Sequence, residues 1–220
     1  MSSRVSDAVQ SVDVTPRMRG VLHQWAFVVS LLAGTILVLR ADTISSRTAA
    51  GVYALSLTAC MGISAYYHRH RWSPVAKLRM QKLDHAMIFV MIAGTYTPIA
   101  AVVLPRQMAV LTLSVVWTCA VGGMLLATLW SDPPGMIEVG PYVVLGVAAV
   151  GLIPNLLPSL GTTGVALLAF GGVLYVVGAL IYAQHRPDPW PRTFGFHEVF
   201  HVLVVLGACM HYAAISAMIG

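Results

Sequence analysis

The chain has 220 residues, 58% of them hydrophobic and only 10% charged, with a formal net charge of +5. A soluble domain carries roughly a quarter charged residues, so this composition excludes an ordinary water-soluble enzyme and places the chain in lipid. The Lys and Arg residues fall at the ends of apolar runs and not in one patch, which argues for anionic lipid headgroups and against nucleic acid as the partner.

A membrane-crossing helix needs about 20 mainly apolar residues. Residues 1–18 are polar and read as an N-terminal tail. Seven apolar runs follow, at 21–39, 48–68, 84–104, 108–130, 141–158, 163–184 and 198–219. The expected fold is an all-α membrane protein, a single seven-transmembrane helical bundle over 19–220. Pro154 and Pro158 interrupt the fifth run, so six spans is the alternative. The first run is long enough to span and no A-x-A-like cleavage site follows it, so no removable signal peptide is expected. Cys60, Cys119 and Cys209 lie in apolar runs without a C-x-x-C and read as small core residues. Pro98, in GTYTP at 94–98, predicts a kink, with Thr95 and Thr97 placed to satisfy freed backbone groups. Of 13 Lys and Arg, ten lie before the first run, between the second and third, or between the sixth and seventh. Only Arg40, Arg47 and Arg106 lie in the opposite loops. The positive-inside rule then puts the N-terminus in the cytoplasm and, with seven spans, the C-terminus outside.

Ionisable residues within or at the ends of spans mark function by default. They are His23, His68, Asp84, His85, His197, Glu198, His201 and His211. His68, Asp84, His197 and His201 come from three helices yet share one expected depth, at the cytoplasmic side. His197 and His201, four apart, lie on one helix face and can bind one metal ion. A third ligand must come from elsewhere. His211 stands about 15 Å further along the helix and cannot reach the same ion, so His68 is the better candidate. Three histidines and an open position make a catalytic-type zinc site. Ser64, one turn from His68, has a hydroxyl for a ligand, a water or an oxyanion. Asp84 is placed to take a proton from a water at the metal. His23, His70 and His185 read as interfacial residues, His211 as a packing residue, and His85 as helix packing or support to a ligand. Tyr66, Tyr67, Trp72 and Trp190 read as an aromatic belt.

HEVFH at 197–201 matches the H-E-x-x-H of zinc proteases, where the Glu is the general base. The residues after His201 are apolar except His211, so no further ligand completes a protease site downstream. Glu198 is expected instead to be a helix N-terminal carboxylate, favoured by the macrodipole.

Several stretches together carry a resemblance: PRMRGVLHQWA (16–26), SAYYH (64–68), KLDHAMIFVMIAGTYTP (82–98), GGVLYVVGALIYAQHRP (171–187) and FGFHEVFHVLVVLGACMHY (194–212). The chain resembles the haemolysin III family, the bacterial branch of the progestin and adipoQ receptor family. That resemblance implies a seven-helix bundle with a cytoplasmic N-terminus in the cell membrane, and Zn2+ held by His68, His197 and His201. It also implies that Asp84 contacts the water at the metal and that Ser64 matches the family's serine. The wider superfamily includes alkaline ceramidases. The implied function is a zinc-dependent hydrolase of a lipid amide or ester, with Asp84 and Ser64 catalytic and a membrane lipid as substrate. Two other readings are a membrane-homeostasis sensor or cytolysin with structural zinc, and a transporter. The family name implies cytolysis, but the spans hold no polar-lined amphipathic helix. A transporter needs polar groups through the bilayer depth, and here they cluster at one side.

Overall fold

The computed structural model describes residues 15–130 and 135–219, and the regular elements among these are all helical. Most of the expected polar tail, with Arg4, and residues 131–134 between the fourth and fifth expected runs lie outside the described residues. In chain order the helices are α1 (Val21–Arg40), α2 (Ile44–Arg69), α3 (Pro74–Val103), α4 (Arg106–Leu129), α5 (Gly135–Val147), a 3-10 segment (Ala148–Leu152), α6 (Ile153–Gln184) and α7 (Phe196–Ile219). Six stretches are long and apolar enough to cross a membrane. Five are α1, α2, α3, α4 and α7. The sixth is the 46-residue run Val139–Gln184, broken at Gly161 by a backbone of φ 63° and ψ −179° that is open to glycine alone.

Local sequence sets the helix ends. Thr43 and Ser46 form a reciprocal capping box at the start of α2, with both side chain to backbone distances 3.1 Å. Pro74, following Ser73, opens α3. The expected loop between the second and third spans is therefore mostly helix, and Lys77, Arg79 and Lys82 project from the first turns of α3. Pro98 lies inside α3, where it leaves the Gly94 carbonyl without its usual donor. Contrary to expectation, the Thr95 and Thr97 hydroxyls do not reach that carbonyl: each donates four residues back on its own helix, to Met91 (2.8 Å) and Ala93 (2.9 Å).

Helices α1 to α4 pack in sequence order, α6 packs on α7, and α1 meets α7 to close the bundle. The main core joins Leu37, Tyr53, Met61, Ile99 and Ile215. A second cluster, Phe89, Tyr96, Val116 and Leu145, ties α3 and α4 to α5, where the Tyr96 hydroxyl donates to the Leu145 carbonyl at 2.8 Å. The outward faces are as apolar as the core: Leu32, Leu111, Leu129 and Phe170 are all well exposed. Such a surface is stable against hydrocarbon and not against water. Cys60 is buried as expected, but Cys119 and Cys209 face outward and are not core residues.

One end of the bundle is tied by backbone. The Arg17 and Met18 N–H groups donate to the carbonyls of Arg192 (3.2 Å) and Thr193 (3.0 Å), joining the entry to α1 to the entry to α7. Gly20 then turns the chain into α1 with φ 76°. A Cβ at Gly20 would sit 2.6 Å from the His68 Cβ, so glycine is needed here both for the turn and for the close approach of α1 to α2.

Candidate metal centre

At that same end the last turn of α2, the third turn of α3 and the first turns of α1 and α7 converge. His68 and His197 approach with their Nε2 atoms 3.1 Å apart. Ligand atoms of His68, His197 and His201 all lie within 4.8 Å of one another, so the three could hold a metal ion. The rings of His68 and His197 are crossed, with planes 80° apart. Tetrahedral zinc with Zn–N of about 2.0–2.1 Å sets its ligand nitrogens ~3.3 Å from each other. The pair at 3.1 Å is close to that spacing, and three neutral imidazoles leave a fourth position open. The donor set fits zinc.

Asp84 Oδ2 stands 3.7 Å from His68 Nε2. That is too far for a direct hydrogen bond and suits a single intervening water or ligand atom. Ser64 is buried one turn above His68, its Oγ 2.8 Å from Nδ1 of His23. Each residue expected at the site from sequence thus stands beside the others.

Glu198 stands apart from them. Its Oε2 accepts the Gly195 N–H at 2.8 Å, the reciprocal half of a capping box, and its Oε1 accepts from Arg19 Nε. Both oxygens are committed to the helix start and to the strap before α1. The expected N-terminal carboxylate is present, and the ion pair with Arg19 is an addition to it.

His23 is the residue that sequence reasoning missed. It is expected at an interface, yet it is only 3% exposed, and its ring lies flat on His201, centroids 3.7 Å apart and planes within 10°. The available signal is depth: His23 lies in the first turn of α1, at the same end as His68 and Asp84. His70 and His185 do stay outside the cluster, His70 exposed beside Trp72 and His185 against Phe196. His85 packs edge-on to Tyr182. His211 is remote, with its Nε2–H donating to the Leu168 carbonyl at 3.1 Å.

The histidine cluster opens into a cavity of about 460 Å³ between α3, α5, α6 and α7. Its walls are apolar, with Ile88, Val143, Val165, Val176 and Val204 among them, and His211 stands among the lining residues too. The volume is within the roughly 300–1,000 Å³ of small-molecule sites.

Comparison with known proteins identifies the family of the chain. A family described as Haemolysin-III related matches residues 13–212. Hemolysin-3 of Bacillus cereus is 29% identical over 195 residues, covering 87% of this chain and 86% of the relative. The Hemolysin-3 homolog of Bacillus subtilis (strain 168) is 30% identical over 129 residues, 59% of this chain and 58% of the relative. The adiponectin receptor protein of Drosophila melanogaster is 27% identical over 186 residues, 76% of this chain and 42% of that longer protein. The chain is a multi-pass protein of the cell membrane and belongs to the haemolysin III-related family, within the wider progestin and adipoQ receptor family.

Proposed function

We propose that this protein is a zinc-dependent hydrolase of a lipid amide or ester. The observation that carries the reading is the convergence of three histidine donors and a carboxylate beside an apolar cavity. His68, His197 and His201 would hold the ion. A zinc ion there would polarise a carbonyl and lower the pKa of a water. The apolar cavity binds the hydrocarbon part of the substrate and excludes bulk water from the polar end. That orients the amide or ester carbonyl toward the histidines. Asp84 takes the proton of the attacking water and returns it to the leaving nitrogen or oxygen. Ser64 donates a hydrogen bond to the charge that develops on the carbonyl oxygen. The test is release of fatty acid from a labelled ceramide-type substrate in detergent micelles. Wild type turns over and Asp84→Asn loses about 10²–10⁴-fold while keeping its zinc. Equal rates in the two would sink the hydrolase.

A second reading has one observation in its favour. The histidines join α2 to α7, helices far apart in sequence, so zinc is also placed to clasp the bundle in a regulator of the membrane. Under that reading Asp84→Asn changes nothing, and removal of zinc lowers the thermal midpoint.

We further infer seven spans with a cytoplasmic N-terminus. The run Val139–Gln184 has 46 residues. As continuous helix it would reach ~69 Å, more than twice the roughly 30 Å hydrocarbon core. The break at Gly161 and the packing of α5 on α6 support two crossings. The Lys and Arg asymmetry then sets the site at the cytoplasmic side. A reporter fused after Gly220 should read outside the cytoplasm, and a cytoplasmic signal would defeat the count.

A further inference from the structure

We propose that His23 is a positioning residue of this centre: its face fixes the ring plane of the ligand His201, and its edge aims the Ser64 hydroxyl. The proposal rests on the metal reading above. It starts from cost. An imidazole 3% exposed in a bundle of apolar helices has lost its water, and that loss must be offset by specific contacts. One edge is offset by Ser64 at 2.8 Å. The other, Nε2, is buried without a hydrogen-bond partner among the described residues. An apolar side chain would fill the same space without leaving an orphan, so packing alone does not account for a histidine here.

The face supplies the first effect, and the edge the need for a polar ring. A metal-binding histidine is normally oriented by a hydrogen bond from its second ring nitrogen to a carboxylate, carbonyl or water. Among the described residues the hydrogen bonds include none to the His201 ring. Its χ2 torsion is intrinsically broad, since an sp³–sp² bond has no sharp staggered wells. What limits it is the flat stack of His23 at 3.7 Å and 10°. Rotation of His201 away from the common donor position would drive its edge into the His23 face. His23 itself is held by its place on α1, three residues after the tight turn at Gly20.

The edge supplies the second effect. Nδ1 of His23 and Oγ of Ser64 form one hydrogen bond at 2.8 Å, from α1 to α2. The tautomer protonated at Nδ1 donates to the Ser64 oxygen, leaves the Ser64 proton free for the carbonyl oxygen, and leaves Nε2 as the bare lone pair.

The experiment separates face from edge in the full-length protein. Zinc affinity is read by competition with a chromophoric chelator, and ligand geometry by the visible absorption of the cobalt(II)-loaded protein. His23→Ala removes both functions and should weaken zinc about 10–100-fold and alter the cobalt spectrum. His23→Phe keeps a stacking face and should restore affinity to near wild type. His23→Asn keeps an N–H for Ser64 without the face and should not. The edge is read by the thermal midpoints of metal-free His23→Phe, Ser64→Ala and the double variant, which should fall no further than the larger single effect. If His23→Ala does not fold, the Phe and Asn variants still decide. Wild-type affinity and spectrum in His23→Ala or His23→Asn, or a Phe variant that binds as weakly as Asn, would overturn the role of the face. Fully additive midpoints would overturn the role of the edge. A wild type that binds neither metal fails before any His23 variant is made, and that failure belongs to the metal centre itself.

Discussion

Helix α7 carries histidines at two depths, and they have different surroundings. Around His201 three other imidazoles gather, from α1, α2 and α7 itself, with the carboxylate of α3 beside them. Around His211, about 15 Å along the same helix, there is a carbonyl of α6 and the edge of Tyr175. Both histidines line the same apolar cavity. The residue type is equal at the two depths; what differs is how many helices bring donors there. At the His201 end the strap of residues 17–18 and the turn at Gly20 draw α1 and α2 onto α7. At the His211 end α6 and α7 meet closely through Gly171 and Gly207.

The largest expected effect tests that contrast directly. Replacing His197 and His201 together with Ala should abolish zinc in the purified protein, measured by mass spectrometry, whereas His211→Ala should keep a full equivalent. A double variant that still holds one zinc per chain would erase the distinction between the two depths. Next comes Glu198, which lies in the metal-binding sequence but not in the metal centre. Glu198→Gln breaks a largely buried pair with Arg19, whose side chain is 20% exposed. Loss of one partner of a buried pair costs about 3 kcal/mol or more, moderated here by that exposure, so a lower thermal midpoint is expected with zinc retained. Hydrolysis per folded molecule should change little. If Glu198→Gln lost turnover as fully as Asp84→Asn, the protease-type base would return. The smallest effect belongs to His211→Gln. The amide N–H can replace the bond to Leu168, so stability should change by about 1 kcal/mol or less, and zinc affinity not at all. A large drop in zinc affinity would couple the two depths.

Much of this was legible in the residues, for a definable reason. Helices in lipid must be long and apolar, so the runs at 21–39, 48–68, 108–130 and 198–219 mark α1, α2, α4 and α7 directly. The i, i+4 spacing of His197 and His201 fixes their common face before any fold is known. The third run was placed late, because Lys77, Arg79 and Lys82 read as loop although a Ser73–Pro74 start extends the helix beneath them. Pro154 and Pro158 flagged the fifth run as irregular, but the break falls at Gly161, the residue that can adopt its backbone angles. His23 escaped because a histidine near a helix start has a satisfactory explanation at an interface. Only the fold reveals that the strap before α1 carries it inward. The same holds for Arg19, whose partner Glu198 lies at the other end of the sequence.

The strap has a consequence for biosynthesis. It joins the first helix of the described chain to the last, and the centre lies between them. His23, Ser64, His68 and Asp84 are all made and inserted early, and must wait for α7 to complete the ring. Until then a growing chain has at most one of the three histidine donors and cannot hold the ion tightly. On the metal reading proposed above, loading would wait for α7, and a polypeptide stalled before α7 would lack two of the three donors.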